Sequence, residues 1–208
     1  DIGNVWGQTN SRLYRSHILL ERGEIGAALD TMRTAIRLGD VSRHPGALVG
    51  ARTDLGLLLA ELGEVEQGAR WVEEAETIAV ELGVWVRAYP LAARARLAMM
   101  RGDFAAARTA LAQARSHLRP AGLQWFAPIL IPLVEAGLAL AEGDAASARD
   151  SLAGLVRRVE ALPARPFLPE VLRLSAKALA ALGETDDALA ALRKARETAE
   201  SAGSAWRL

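Results

Sequence analysis

Five pairs of glycine followed by an acid recur at almost constant intervals: Gly23-Glu24, Gly63-Glu64, Gly102-Asp103, Gly143-Asp144 and Gly183-Glu184. The steps between them are 40, 39, 41 and 40 residues, so five units account for nearly all of the 208 residues. One such dipeptide carries no information. Five in register restrict the chain to an array of like supersecondary units.

Other columns keep that register. Five residues after the glycine stands Ala28, Gly68, Ala107, Ala148 or Ala188, and nine after it Met32, Val72, Leu111, Leu152 or Leu192. Twelve after it stands Ala35, Ala75, Ala114, Leu155 or Ala195. These offsets differ by three and four, so they share one face of a helix. Seven residues before the glycine stands Ser16, Gly56, Ala95, Ala136 or Ala176. If the chain reverses at the glycine, positions −7 and +5 lie opposite each other in an antiparallel pair. Small side chains there let the axes approach to the short end of the ~8–10 Å range. The glycine suits a left-handed helix end, and the acid after it suits the N-terminus of the next helix.

The pattern predicts ten helices, at 4–22, 25–38, 45–62, 65–82, 86–101, 104–119, 124–142, 145–161, 167–182 and 185–202. Second turns fall at Gly39, Gly83, Gly122, Pro163 and Gly203, and no segment alternates as a strand does. Pro128 and Pro132 are expected to delay or bend the start of the seventh helix. A lone pair cannot hide its apolar surface, whereas stacked pairs bury a continuous core. The expected fold is all-α: a right-handed α-solenoid of five helix hairpins with no β-sheet. It forms a single array with repeats at 4–43, 44–83, 84–122, 123–163 and 164–203, and 204–208 opens a truncated sixth unit.

These residues resemble the tetratricopeptide repeat, whose pattern sets a small residue, Gly-Asp, an aromatic or aliphatic residue, Ala, a large residue and Ala at these spacings. The third unit is nearest, with Ala95, Gly102-Asp103, Phe104, Ala107, Leu111 and Ala114. The family's usual unit has about 34 residues, and its tryptophan and leucine early in the first helix are mostly replaced here, as by Arg15 and Arg94. Longer units look like the superhelical regions of MalT-like bacterial transcriptional activators and of cyclase- or kinase-associated ATPases. The resemblance implies a protein-binding or sensing arm of a larger bacterial regulator, and a chain opening at Asp1 reads as a fragment of one.

Composition narrows the chemistry. Twenty-five basic and 25 acidic side chains cancel, which removes the general electrostatic case for nucleic acid or an anionic membrane. The absence of cysteine excludes disulfides and thiolate sites and fits a reducing cytoplasm. No phosphate loop, GxGxxG, HExxH or EF-hand pattern occurs, and His17, His44 and His117 lie in different units without a ligand-spaced neighbour. No enzyme activity, metal or cofactor is expected. Trp6, Trp85 and Trp125 stand 17 or 18 residues before their glycines, Phe167 stands 16 before its own, and Trp206 opens the sixth unit. Aromatics at a repeated helix start are expected to pack, with Trp206 poorly buried.

Neutrality conceals segregation. Residues 61–81 hold seven Glu and one Arg, and residues 87–119 hold seven Arg and one Asp. The bands are expected to satisfy one another across the second and third units. In tetratricopeptide arrays the first helix of each pair lines a concave groove, which the resemblance carries to the columns 13, 10, 6 and 3 residues before each glycine. The candidate contacts there are His17, Leu57, Tyr89, Arg96, Leu133, Arg173 and Lys177. They suit a protein or peptide with an apolar stretch and an acidic end. Two other readings stand beside this one: a small-molecule sensor with ligand near Leu130, Leu133 and Tyr89, and a scaffold that self-associates through its ends.

Overall fold

The computed structural model describes residues 4–83, 86–118, 126–162 and 167–201. Helix α1 (Val5–Glu21) is followed by α2 (Ile25–Ser42), then by a π-helical segment, Gly46–Ala51, that runs into α3 (Arg52–Glu61). Next come α4 (Val65–Leu82), α5 (Ala88–Met100), α6 (Phe104–His117) and α7 (Ala127–Ala141). The last three are α8 (Ala145–Glu160), α9 (Leu168–Ala181) and α10 (Thr185–Ser201). The fold is all-α, with ten α-helices and no strand among the described residues. Two compact units divide it: one holds α1 to α6, and the other holds α7 from Ile129 onward with α8, α9 and α10.

The five Gly-acid pairs all build the same turn. Each glycine has positive φ, between 72° and 95°. The acid after it donates its backbone N–H to the carbonyl five residues back: Glu24 to Leu19, Glu64 to Leu59, Asp103 to Ala98, Asp144 to Ala139 and Glu184 to Leu179, all at 2.8–3.0 Å. This is the Schellman closure, which satisfies carbonyls the ending helix would otherwise orphan. Asp103 and Asp144 also cap the following helix, accepting from the backbone N–H of Ala106 at 2.9 Å and Ser147 at 3.0 Å.

In the first compact unit α3 packs on α4, α4 on α5 and α5 on α6; in the second, α8 packs on α9 and α9 on α10. The small columns meet as the spacing demands. A Cβ on Gly68 would fall 2.3 Å from the Gly56 carbonyl oxygen, and one on Gly56 would fall 2.6 Å from that of Gly68. The backbones of α3 and α4 are therefore in direct contact. Elsewhere the same columns hold Ser or Ala, every one of them buried.

Two local features differ from the sequence expectation. Gly39 is not a turn: α2 continues to Ser42, and the reversal falls on Arg43, which adopts a left-handed φ of 53°. Gly39 serves a close approach instead, because a Cβ there would lie 2.2 Å from that of Ala47. The third helix also opens as a π-turn, which the 3.6-residue pattern could not indicate. Arg52, almost wholly buried, steadies it. Its guanidinium reaches the Ala47 and Leu48 carbonyls at 3.3 and 3.5 Å, Asp40 at 2.7 Å and Glu74 at 3.0 Å, and so ties α2, the π-segment and α4 together. Of the other expected turns, Gly83 ends α4, while Gly122, Pro163 and Gly203 lie outside the described residues. Helix α7 begins at Ala127 and carries Pro132 within it.

His44 sits buried at the same junction. Its Nδ1 accepts the Gly46 N–H at 3.0 Å, its ring lies 4.1 Å from the Trp6 ring, and burial pulls its pKa below the ordinary value.

This packing makes two predictions. Alanine is ordinarily favoured over glycine in a helix by about 0.5–1 kcal/mol, but overpacking against a backbone oxygen costs ~1–3 kcal/mol. Gly68→Ala should therefore lower the thermal midpoint followed by circular dichroism, and an unchanged or raised midpoint would contradict the close approach. For His44 the folded state resists the proton that the unfolded chain accepts at about pH 6.5. Stability is then full above that value and declines as pH falls toward the lowered folded pKa. His44→Asn, which keeps an acceptor for Gly46, should flatten the decline in denaturant midpoint between about pH 7.5 and 5.5.

Candidate functional site

Three successive first helices place polar side chains together. His17 comes from α1, Asp54 from α3 and Tyr89 from α5. The Tyr89 hydroxyl donates to Asp54 Oδ1 at 2.5 Å, and His17 Nε2 stands 3.3 Å from Asp54 Oδ2. Phe126, just ahead of α7, meets both rings edge-on, at 5.7 Å from His17 and 6.1 Å from Tyr89. Tyr89 is 1% exposed, while the His17 and Asp54 side chains are 34% and 13% exposed. Asp54 is thus a nearly buried carboxylate clasping an outer imidazole and an inner phenol.

The electrostatics hold the phenol as a donor. Burial raises its pKa well above the usual 10, and the Asp54 charge and hydrogen bond raise it further. The arrangement fixes the spacing of α1, α3 and α5 and leaves the imidazole at the surface. Among the described residues no set of three or more His, Asp or Glu side chains is placed to hold a metal ion.

The acidic and basic bands do satisfy one another, as the charge pattern implied. Arg96 pairs with Glu61 at 2.9 Å, Arg94 with Glu76 at 2.8 Å, and Arg101 grips both carboxylate oxygens of Glu66 at 3.1 and 2.8 Å. Partial burial raises the Glu76 pKa, and Arg94 opposes that rise.

The contacts expected from the sequence are spread along the chain. His17 and Tyr89 come together through Asp54, and Arg96 engages Glu61 on the same run of helices. Leu57 is buried in α3. Leu133 is buried in α7, while Arg173 and Lys177 lie exposed one turn apart on α9. Asp54, Glu61 and Phe126 were not among the sequence candidates. One signal for Asp54 was available: nine residues before the glycine the column reads Tyr14, Asp54, Ala93, Val134 and Leu174, with a single charge among uncharged residues. Of the tryptophan column, Trp6 is half exposed over His44, whereas Trp85, Trp125 and Trp206 fall outside the described residues.

Comparisons with known proteins place this geometry in a class. The tetratricopeptide repeat model matches residues 49–74, 88–113 and 169–194, which fall on α3–α4, α5–α6 and α9–α10, so these three segments are tetratricopeptide repeats by sequence. Among solved structures, the chain is similar to the nearly identical TPR-like repeats of a candidate kinesin light chain from Podosopora anserina. There the identity is 18%, the TM-score 0.55, and 94% of this chain and 96% of that one are covered. A single-substitution variant of the same protein gives 18% identity and a TM-score of 0.55 over 95% of this chain and 96% of that one. At such identity the likeness is one of fold. A comparison with curated protein sequences gives no match. Repeats of this class serve as protein-interaction modules.

The clasp yields a stability prediction. Asp54→Ala strands the buried Tyr89 hydroxyl and should cost about 1–3 kcal/mol in chemical denaturation. Tyr89→Phe leaves Asp54 beside His17 and partly solvated, so it should cost less. The double variant should fall short of the sum of the two by about 1 kcal/mol; strict additivity would mean the two groups do not act together.

Proposed function

We propose that the chain is a protein-interaction module whose first-helix surfaces receive a peptide or helix of a partner. The carrying observation is the tie that Asp54 makes across three repeats: it accepts from the buried Tyr89 hydroxyl of α5 and stands 3.3 Å from the partly exposed His17 of α1, which holds the three first helices together. In the second compact unit Arg173 and Lys177 are exposed one turn apart on α9. An acidic peptide end complements that pair, and charge there sets encounter and orientation. The length of the units and their resemblance to MalT-like arrays support a parent that is a larger bacterial regulator. Working in the cytoplasm, it would bind another protein or a further domain of its own chain, with no catalytic step of its own.

The small-molecule alternative depends on Leu130, Leu133 and Tyr89 lining a space for ligand. All three are at most 2% exposed, so none of them presents a face to a ligand.

Fluorescence anisotropy with a panel of labelled helical peptides, each with an apolar stretch and an acidic end, tests the proposal. Binding should weaken about tenfold or more in the Arg173→Glu/Lys177→Glu protein, and circular dichroism should show the fold intact. Equal affinity in the two proteins would remove α9 from the binding surface. A panel without a single binder would count against the module itself.

A further inference from the structure

Pro45, helical in φ and ψ, leads into the π-segment, and the backbone N–H groups of the turn that follows all end on His44. Its carbonyl accepts from Ala47 at 3.0 Å and from Leu48 at 2.9 Å, and its ring Nδ1 accepts from Gly46 at 3.0 Å. Pro45 has no N–H to place. His44 is therefore the N-cap of this helical run, doing with an imidazole what Ser, Thr, Asp or Asn ordinarily does with an oxygen. The same residue closes the helix before it, donating its backbone N–H to the Gly39 carbonyl at 3.2 Å. Elsewhere the side-chain caps are the exposed carboxylates of Asp103 and Asp144. The bond from Ser147 holds the Asp144 carboxyl below its ordinary range, so that cap persists in mild acid. An imidazole cap differs, because its acceptor is a lone pair that takes up a proton near neutrality.

The packing leaves the ring one way to serve. With Nδ1 accepting, the neutral imidazole carries its proton on Nε2, and that atom is buried without a hydrogen-bond partner. His44 is 5% exposed. Its ring is wedged between the Trp6 ring and the Gly46 backbone, where a Cβ would fall 2.9 Å from the imidazole and 3.2 Å from Leu13. A proton on Nδ1 sets donor against donor at Gly46 and gains the ring no bond at Nε2. The charges on the surrounding elements do not compensate. Arg43 beside it and Arg12 and Arg15 on α1 are cations, and the carboxylates of Asp40 on α2 and Glu74 on α4 are both held by Arg52. Burial accordingly lowers the pKa of His44, opposed by a bond to its own backbone.

We infer that His44 is a proton-operated helix cap: neutral, it fastens Gly46 and holds the joint between the first and second repeats; charged, it releases that end of the π-segment. The neutral form is the capping one, so the cap is lost as pH falls below the ordinary imidazole value of about 6.5, while carboxylate caps hold to about pH 4. The peptide-binding reading proposed above does not enter this inference.

Amide hydrogen exchange of the full chain, followed by NMR and expressed as protection relative to the unstructured rate at each pH, tests it. Protection of Gly46 should fall about tenfold or more between about pH 7.5 and about pH 5, with the amides of α5 unchanged. That contrast separates release of the cap from general acid unfolding. His44→Asn keeps an acceptor for Gly46 but does not titrate, so its Gly46 protection should be the same at both pH values. His17→Asn removes the other histidine of α1 and α2 and should leave the fall in place. Long-range nitrogen–proton correlation on the parent protein should find the ring proton of His44 on Nε2 at about pH 7.5, a measurement that needs no variant to fold. A proton on Nδ1 would overturn the proposal. So would Gly46 protection indifferent to pH, a loss shared with α5, or a fall that persists in His44→Asn or vanishes in His17→Asn.

Discussion

The hydrogen bond from the acid after each glycine to the carbonyl five residues back is the interaction on which the rest of the structure depends. It forces a left-handed residue at the helix end, and glycine takes that conformation without the steric cost a Cβ would bring. Because the closure is the same five times over, every hairpin reverses at the same point in its unit. The small residues at −7 and +5 are opposite only because of that shared pivot. Were the turn one residue longer in the second unit, the Gly56 and Gly68 backbones could not touch, and the apolar columns at +9 and +12 would rotate by about 100°. Packing is thus downstream of turn chemistry.

A second regularity governs how neighbouring repeats meet in the first compact unit. Tyr89 to Asp54, Arg96 to Glu61 and Arg101 to Glu66 are each 35 residues apart, although the two turns are 39 apart. The partner in the later unit therefore stands about four positions earlier in its own register, which is one helical turn. Adjacent repeats are staggered by that turn. The charged pairs along the stagger do not all weigh the same. Arg101 and Glu66 are well exposed, and such a pair is worth only about 0–1 kcal/mol; its role is to favour one stagger over another. Arg52, by contrast, is buried among Asp40, Glu74 and two carbonyls, and a charge in that position is costly to leave unpaired.

The stagger also explains what could and could not be read from the amino-acid order. Helix positions were legible because each depends on spacing within one unit: the turn glycines, the +5, +9 and +12 columns, and the opposing small pair. Matching of the acidic and basic bands was legible because it needs only opposite sign on adjacent repeats. The clasp was not. His17 and Tyr89 stand in two of the groove columns, 6 and 13 residues before their glycines, but the residue joining them, Asp54, lies 9 before its own, in neither. Comparing like with like down the repeats misses a contact that runs on the slant. Gly39 failed for a related reason: glycine at a unit boundary fits a turn or a close approach equally well, and only the position of Ala47 distinguishes them. The π-segment has no period of its own in the sequence. Arg52, the residue that follows it, reaches back to two of its carbonyls and outward to Asp40 and Glu74, contacts that spacing does not encode.

A repeat protein offers function in the places where its own regularity breaks. Within the array the small-residue columns seven before and five after the glycine are buried in every unit. Residues that depart from their column then become informative about recognition. Asp54 departs by carrying charge where its counterparts are apolar or aromatic, and it joins the first helices of three repeats. The forty-residue register makes such an exception measurable against four equivalent positions in one molecule.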